Sequence, residues 1–286
     1  MRVNLSDVRT DLQGFVRLAG LSAQIESITG PICVIDCTAV RWFDANMTAA
    51  LAAVVAHHRI QGKLVRQEWP RHRAAAEVLR KNGFLTDFPS RPAPSMVPHM
   101  GFRPADKIGF AEYAAEHLQG KGIPRMSLGL RRYFLLGLDE LFGNVDLHAD
   151  TDGDVFVSGQ AYPEMHRLHF NLADCGIGIR ESIRRRLGLQ MGAGEAIEWA
   201  LTGHNTTRML DVPGGLGLKI VRDFVGYNQG SLTIVSDRGY WQQIGTNRTF
   251  QELPHPFPGT VVSLELRTDD PASYALAGEK APSVQF

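Results

Sequence analysis

Apolar positions recur along this chain with two periods, and the two alternate. Val8, Leu12, Phe15, Val16, Leu18 and Ala19 can share one helical face. Residues 31–37, PICVIDC, form a short run rich in β-branched side chains and predict a buried strand. Residues 44–59 return to helical spacing through Leu51, Val54 and Val55, with Asp44 placed to cap the helix. Residues 63–68 predict a second strand, and 73–82 a helix stopped by Gly83. Strand, capped helix, strand, helix is an α/β pattern.

Residues 86–107 then carry Pro89, Pro92, Pro94, Pro98 and Pro104, a density that opposes helix and sheet pairing and predicts a linker. A short amphipathic helix is expected at 110–118. A long helix is expected at 127–148, its apolar stripe built by Leu128, Leu130, Tyr133, Phe134, Leu138, Leu141 and Phe142. Residues 154–159 and 165–173 read as strands joined near Pro163. In the second, Leu168, Phe170 and Leu172 alternate with polar neighbours, as in a half-buried strand. Helices are predicted at 179–186, 193–201 and 218–225, and strands at 231–236, 239–243 and 260–266. Residues 245–259, with Pro254, Pro256 and Pro258, match no element. The pattern therefore predicts an α/β chain divided into a small unit at 1–85, a linker at 86–108, a second unit at 109–268 and a tail at 269–286. The second unit is expected to be a mixed sheet with helices on one face.

Composition changes this picture little. A chain of 286 residues, 44% hydrophobic, suits about two domains. Thirty basic and thirty acidic residues leave no net-charge signature of a nucleic-acid or acidic-membrane partner. No apolar run approaches the ~20 residues of a membrane span. Charges at Arg2, Asp7, Arg9 and Asp11 interrupt any signal-peptide core, so a cytoplasmic location is expected. The three cysteines, Cys33, Cys37 and Cys175, read as buried thiols.

The chemistry gathers in three stretches. The strand at 165–173 runs into Asp174-Cys175-Gly176-Ile177-Gly178. Two alternate glycines allow a tight turn and close approach of backbone to a ligand. The carboxylate can accept from an amine or amide but repels a phosphate. Upstream, Glu140, Asn144 and His148 recur at i, i+4, i+8 and lie near one helix face. An Asn oxygen can help hold Mg²⁺, and a glutamate one turn away can orient or deprotonate a water. Downstream, residues 202–213 are polar and aperiodic, and Thr206, Thr207 and Arg208 could reach phosphates. Gly214-Gly215-Leu216-Gly217 then opens a helix whose bare N–H groups favour an anion. Neither a P-loop nor a dinucleotide fingerprint is present.

In this order the stretches resemble the GHKL ATPases, the family of gyrase, the heat-shock chaperone ATPase, histidine kinases and MutL. The resemblance covers roughly residues 110–266. It implies a two-layer α/β sandwich that binds ATP with Mg²⁺. Glu140 and Asn144 correspond to the N box, Asp174, Gly176 and Gly178 to the first glycine box, and Gly215, Gly217 and Leu218 to the second. Gly259-Thr260 corresponds to the final strand motif. The resemblance implies that Asp174 accepts from the adenine amino group while Gly176 and Gly178 pass close to base and ribose. It makes Asn144 the Mg²⁺ ligand and Glu140 the general base or water positioner. His148 would lie towards the phosphates or a lid at 202–213 carrying Thr207 and Arg208.

Residues 1–85 resemble the STAS domain of anti-sigma factor antagonists, on the strength of the turn Asp44-Ala45-Asn46-Met47. The usual phosphorylatable serine falls on Asn46, which has no hydroxyl, and Thr48 reads as a helix-surface residue. A histidine kinase is disfavoured, because His57, His58 and His72 lack a long two-helix context. The resemblance thus implies an ATP-binding regulatory ATPase of slow turnover that gates a regulatory protein partner, and it is compatible with a homodimer. The alternative is a serine/threonine protein kinase acting on another protein.

Overall fold

The computed structural model describes residues 1–85, 93–202, 216–276 and 278–279. The fold is mixed α/β. Its first sheet is parallel, in the order β1 (Arg2–Asn4), β2 (Ile32–Asp36), β3 (Leu64–Glu68). Parallel strands need crossover connections, and α1 (Leu12–Ser27) and α2 (Met47–Ile60) supply them; α3 (Arg73–Lys81) follows. The Asp11 carboxylate caps α1 by accepting from the Gly14 N–H. Val8 lies outside α1, in a bridge to Phe43. Asp44 does not cap α2. Its carboxylate accepts from the Thr10 N–H and the Trp42 indole, and Asn46 occupies the cap position without a side-chain cap bond. All of Met47 to Val55 is buried. A helix buried all round lies inside a structure, and α2 does.

The second sheet has the order β4 (Met96–Phe102), β6 (Val155–Tyr162), β7 (Arg167–Ala173), β9 (Asn247–Arg267), β8 (Ser231–Ile244). Every described pairing in it is antiparallel, not mixed. On one face lie α4 (Lys107–Leu118), α5 (Leu128–His148) and α8 (Leu216–Tyr227), around Phe110, Leu138, Phe142, Leu168, Phe170 and Leu264. The other face is also covered, contrary to the expectation of helices on one face only. There α2 packs on β6, β7 and β9, and α1 packs on β9. One core therefore joins Phe15, Leu18, Met47 and Leu51 to Ala173, Tyr240, Leu253, Phe257 and Val261.

Prolines misled the sequence reading twice. Part of the expected linker forms the edge strand β4, where Pro98 sits at a register shift between Val97 and Met100. An edge strand with a bulge tolerates a missing N–H. Of the unread segment 245–259, Gly245 and Thr246 form the turn after β8 and the rest belongs to the 21-residue β9. Its proline-bearing half pairs only with β8, and the register jumps from Asp237↔Phe257 to Gly239↔Glu252, so Pro254 and Pro256 fall in the interruption. The expected strands at 231–236 and 239–243 are one strand, β8. The start of the expected tail also packs back: β10 (Ser273–Tyr274) pairs with β5 (Arg125–Met126). The remaining elements, α6 (Gly178–Leu187) and α7 (Ala193–Leu201), follow β7.

Candidate functional site

Strand β7 ends at Ala173, and Asp174 follows it with 4% exposure. The Asp174 N–H still bonds to the Thr260 carbonyl (2.9 Å), so β9 fixes the backbone there. The carboxylate Oδ1 accepts from the Gly176 N–H (2.8 Å). Burial pushes the Asp174 carboxyl up to about 6, against the pull of backbone bonds from Gly176 and Thr260. It is thus a hydrogen-bond acceptor held in a dry place.

Two glycines make this turn possible by what they lack. A Cβ on Gly176 would stand 2.2 Å from the Ala149 carbonyl oxygen. A Cβ on Gly259, whose φ is +88°, would stand 2.1 Å from the Asp174 carbonyl oxygen and 2.8 Å from Oδ1. Side chains are excluded at both places. Gly178 opens α6 with φ +77°.

The turn is bonded to the end of α5. Ser127 caps that helix at its start by accepting from the Leu130 N–H. Ala149, just beyond His148, accepts from the Ile177 N–H (2.8 Å). The Arg186 guanidinium donates to the Leu147 carbonyl, and Arg185 pairs with Asp150 (2.7 Å). Glu140, Asn144 and His148 are half-buried on the same helix. The structure so brings together the end of the Glu140–Asn144–His148 helix, the Asp174–Gly178 turn and Gly259–Thr260. Gly217 and Leu218 lie in the first turn of α8, which packs on α5 through Phe224 and Phe134 (ring centroids 5.4 Å). Thr206, Thr207, Arg208 and Gly215 lie outside the described residues.

Sequence reasoning passed over Ser236 and Ala149. Ser236 Oγ accepts from the Ile179 N–H (2.9 Å) and donates to the Gly259 carbonyl (3.1 Å). The Ala149 contact is made by a carbonyl, which no residue type signals. Cys175 is buried, as are Cys33 and Cys37, and burial pushes the Cys175 thiol up to about 11. Cys175 is therefore packing at neutral pH.

Among the described residues no group of three His, Cys, Asp or Glu side chains could hold a metal ion. Asn144 offers a single amide oxygen, the donor type that Mg²⁺ takes alongside phosphate oxygens and water. Among the described residues no helix is long and apolar enough to cross a membrane. Compared with protein-family models and with curated proteins, the chain matches none.

Proposed function

We propose that this chain is an ATP-binding regulatory protein of the GHKL type, with a STAS-like unit packed on its sheet. ATP would sit at the junction of α5, the Asp174–Gly178 turn and Gly259–Thr260, and its binding would gate a protein partner. One observation carries the reading. Asp174 is a buried carboxylate, held by backbone N–H groups, in a turn where Gly176 and Gly259 leave no space for a Cβ. An exocyclic amine donating to that carboxylate would stabilise its ionised form. A carbonyl in the same place, as on guanine, would be repelled. A hydrogen bond to a charged group is worth about 1.5–3 kcal/mol, so a preference for ATP over GTP of roughly 10- to 100-fold follows.

The neighbouring residues fit the rest of the nucleotide. Asn144 would hold Mg²⁺ through its amide oxygen, and the ion would neutralise charge at the phosphates. Glu140, one turn earlier on α5, would position or deprotonate a water. The N–H groups at the start of α8, near Gly217 and Leu218, favour an anion. His148 is at the end of α5 nearest the turn.

Equilibrium titration with ATP and GTP in Mg²⁺, run beside phosphate release, tests this. Glu140→Ala keeps ATP binding within about threefold and lowers release by 100-fold or more, the usual size of a general base. Undiminished release from Glu140→Ala would remove the base assignment.

A further inference from the structure

We infer that Ser236 is a positioning residue for the adenine-reading turn, a role that rests on the ATP reading above. Helix α6 starts directly on that turn. Its cap residue, Ile177, makes no side-chain cap bond. First-turn N–H groups of a helix need an outside acceptor. Ser236, 57 residues away at a shift in the β8–β9 register, supplies one: its Oγ accepts from the Ile179 N–H at 2.9 Å.

The same hydroxyl donates to the Gly259 carbonyl at 3.1 Å and lies 3.1 Å from the Thr260 hydroxyl. Ser236 is 1% exposed, so water does not replace these bonds. Gly259 and Thr260 are the two residues that seat Asp174: Thr260 accepts from its N–H, and Gly259 lies against its carbonyl. A second tether runs beside the first. Asp237 takes Arg180, on the first turn of α6, at 2.6 Å. One hydroxyl thus joins the start of α6, the bend in β8 and the seat of Asp174. Doing this takes a small group that both accepts and donates, which a serine or threonine hydroxyl supplies and an alanine methyl does not.

The consequence is base selectivity. Without the hydroxyl, the start of α6 and Gly259 lose their common anchor, and the carboxylate loses its fixed direction. In the full chain, Ser236→Ala should weaken ATP binding about tenfold and lower the ATP/GTP preference by the same factor, leaving GTP affinity unchanged. Ser236→Thr should restore both. A Ser236→Ala protein that keeps wild-type ATP affinity and preference overturns the inference and leaves the ATP reading standing. A wild-type chain that binds no ATP sinks the ATP reading itself, and this inference with it. Hydrogen exchange at the wild-type Ile179 amide tests the anchor without any variant. It should slow at least tenfold on adding ATP and stay unchanged with GTP; no slowing with ATP overturns the inference.

Discussion

Asp174 shows what a single buried carboxylate costs and what it offers. Its folded-state pKa of about 6 stands above the ordinary 3.8, because burial penalises the charged form. Between those values the folded chain keeps a proton that the unfolded chain releases. Stability therefore falls as pH rises through about 4 to 6 and is flat, for this group, above that window. Two pKa units correspond to roughly 3 kcal/mol, an upper figure. Asp174→Asn keeps an acceptor for the Gly176 N–H and removes the charge. Denaturant unfolding at pH 4.5 and 7.5 should show the variant more stable than wild type at pH 7.5, by about 1–3 kcal/mol, and with a flatter pH profile. A variant no more stable at pH 7.5 would mean that the carboxylate is not strained by burial.

At the scale of elements, the docking of α2 on the second sheet is polar at its core. The Asn46 amide donates to Asn171 Oδ1 (2.9 Å), and the Ser158 hydroxyl donates to the Asn46 carbonyl (2.8 Å). The Thr48 and Ser158 hydroxyls lie 3.0 Å apart, and Asn82 donates to the Thr48 hydroxyl (3.0 Å). Asn46, Thr48, Asn82, Ser158 and Asn171 are all buried. Removing one partner strands the other, at about 1–3 kcal/mol. Asn46→Ala and Asn171→Ala should each cost that much by urea unfolding, and the double variant should cost less than their sum by about 1 kcal/mol. Simple additivity would mean the pair is not coupled.

This interface also marks the limit of the sequence pattern. Alternation at Leu168, Phe170 and Leu172 marks one apolar face, and these residues lie in the core with α4, α5 and α8. It could not tell that Asn171, on the polar side, meets another helix instead of water. Thr48 read as a surface residue for the same reason. Asn46 read only as a serine that had lost its hydroxyl, although its amide is what fastens α2 to β7. The site divides along similar lines. The turn at Asp174 and the spacing of Glu140, Asn144 and His148 are local in sequence and were legible. The contacts that Ser236 and Ala149 make to the turn link distant segments and left no local signal.

At the scale of the molecule, one apolar core runs from α1 and α2 into β7, β8 and β9. Residues on either side of the junction bury against each other, so neither part can unfold without exposing the other's core. A single cooperative transition is predicted. Trp42 and Trp69 lie in the first unit, and Trp199 and Trp241 in the second. Variants that keep one tryptophan from each unit should report coincident denaturant midpoints by fluorescence. Midpoints well separated between the units would contradict a shared core. With the first unit fixed in this way, the proposed nucleotide would act on the proposed partner through exposed surfaces and not by releasing α2 from the sheet.

The most direct measurement is calorimetric titration of Mg·ATP into the wild-type chain and into Asp174→Asn, each with its unfolding curve recorded beside it. The wild type should bind, and Asp174→Asn should stay folded and lose affinity by roughly 100-fold, the worth of a hydrogen bond to a buried charge. A folded Asp174→Asn that binds ATP like the wild type, or a wild type that binds none, would contradict the ATP reading.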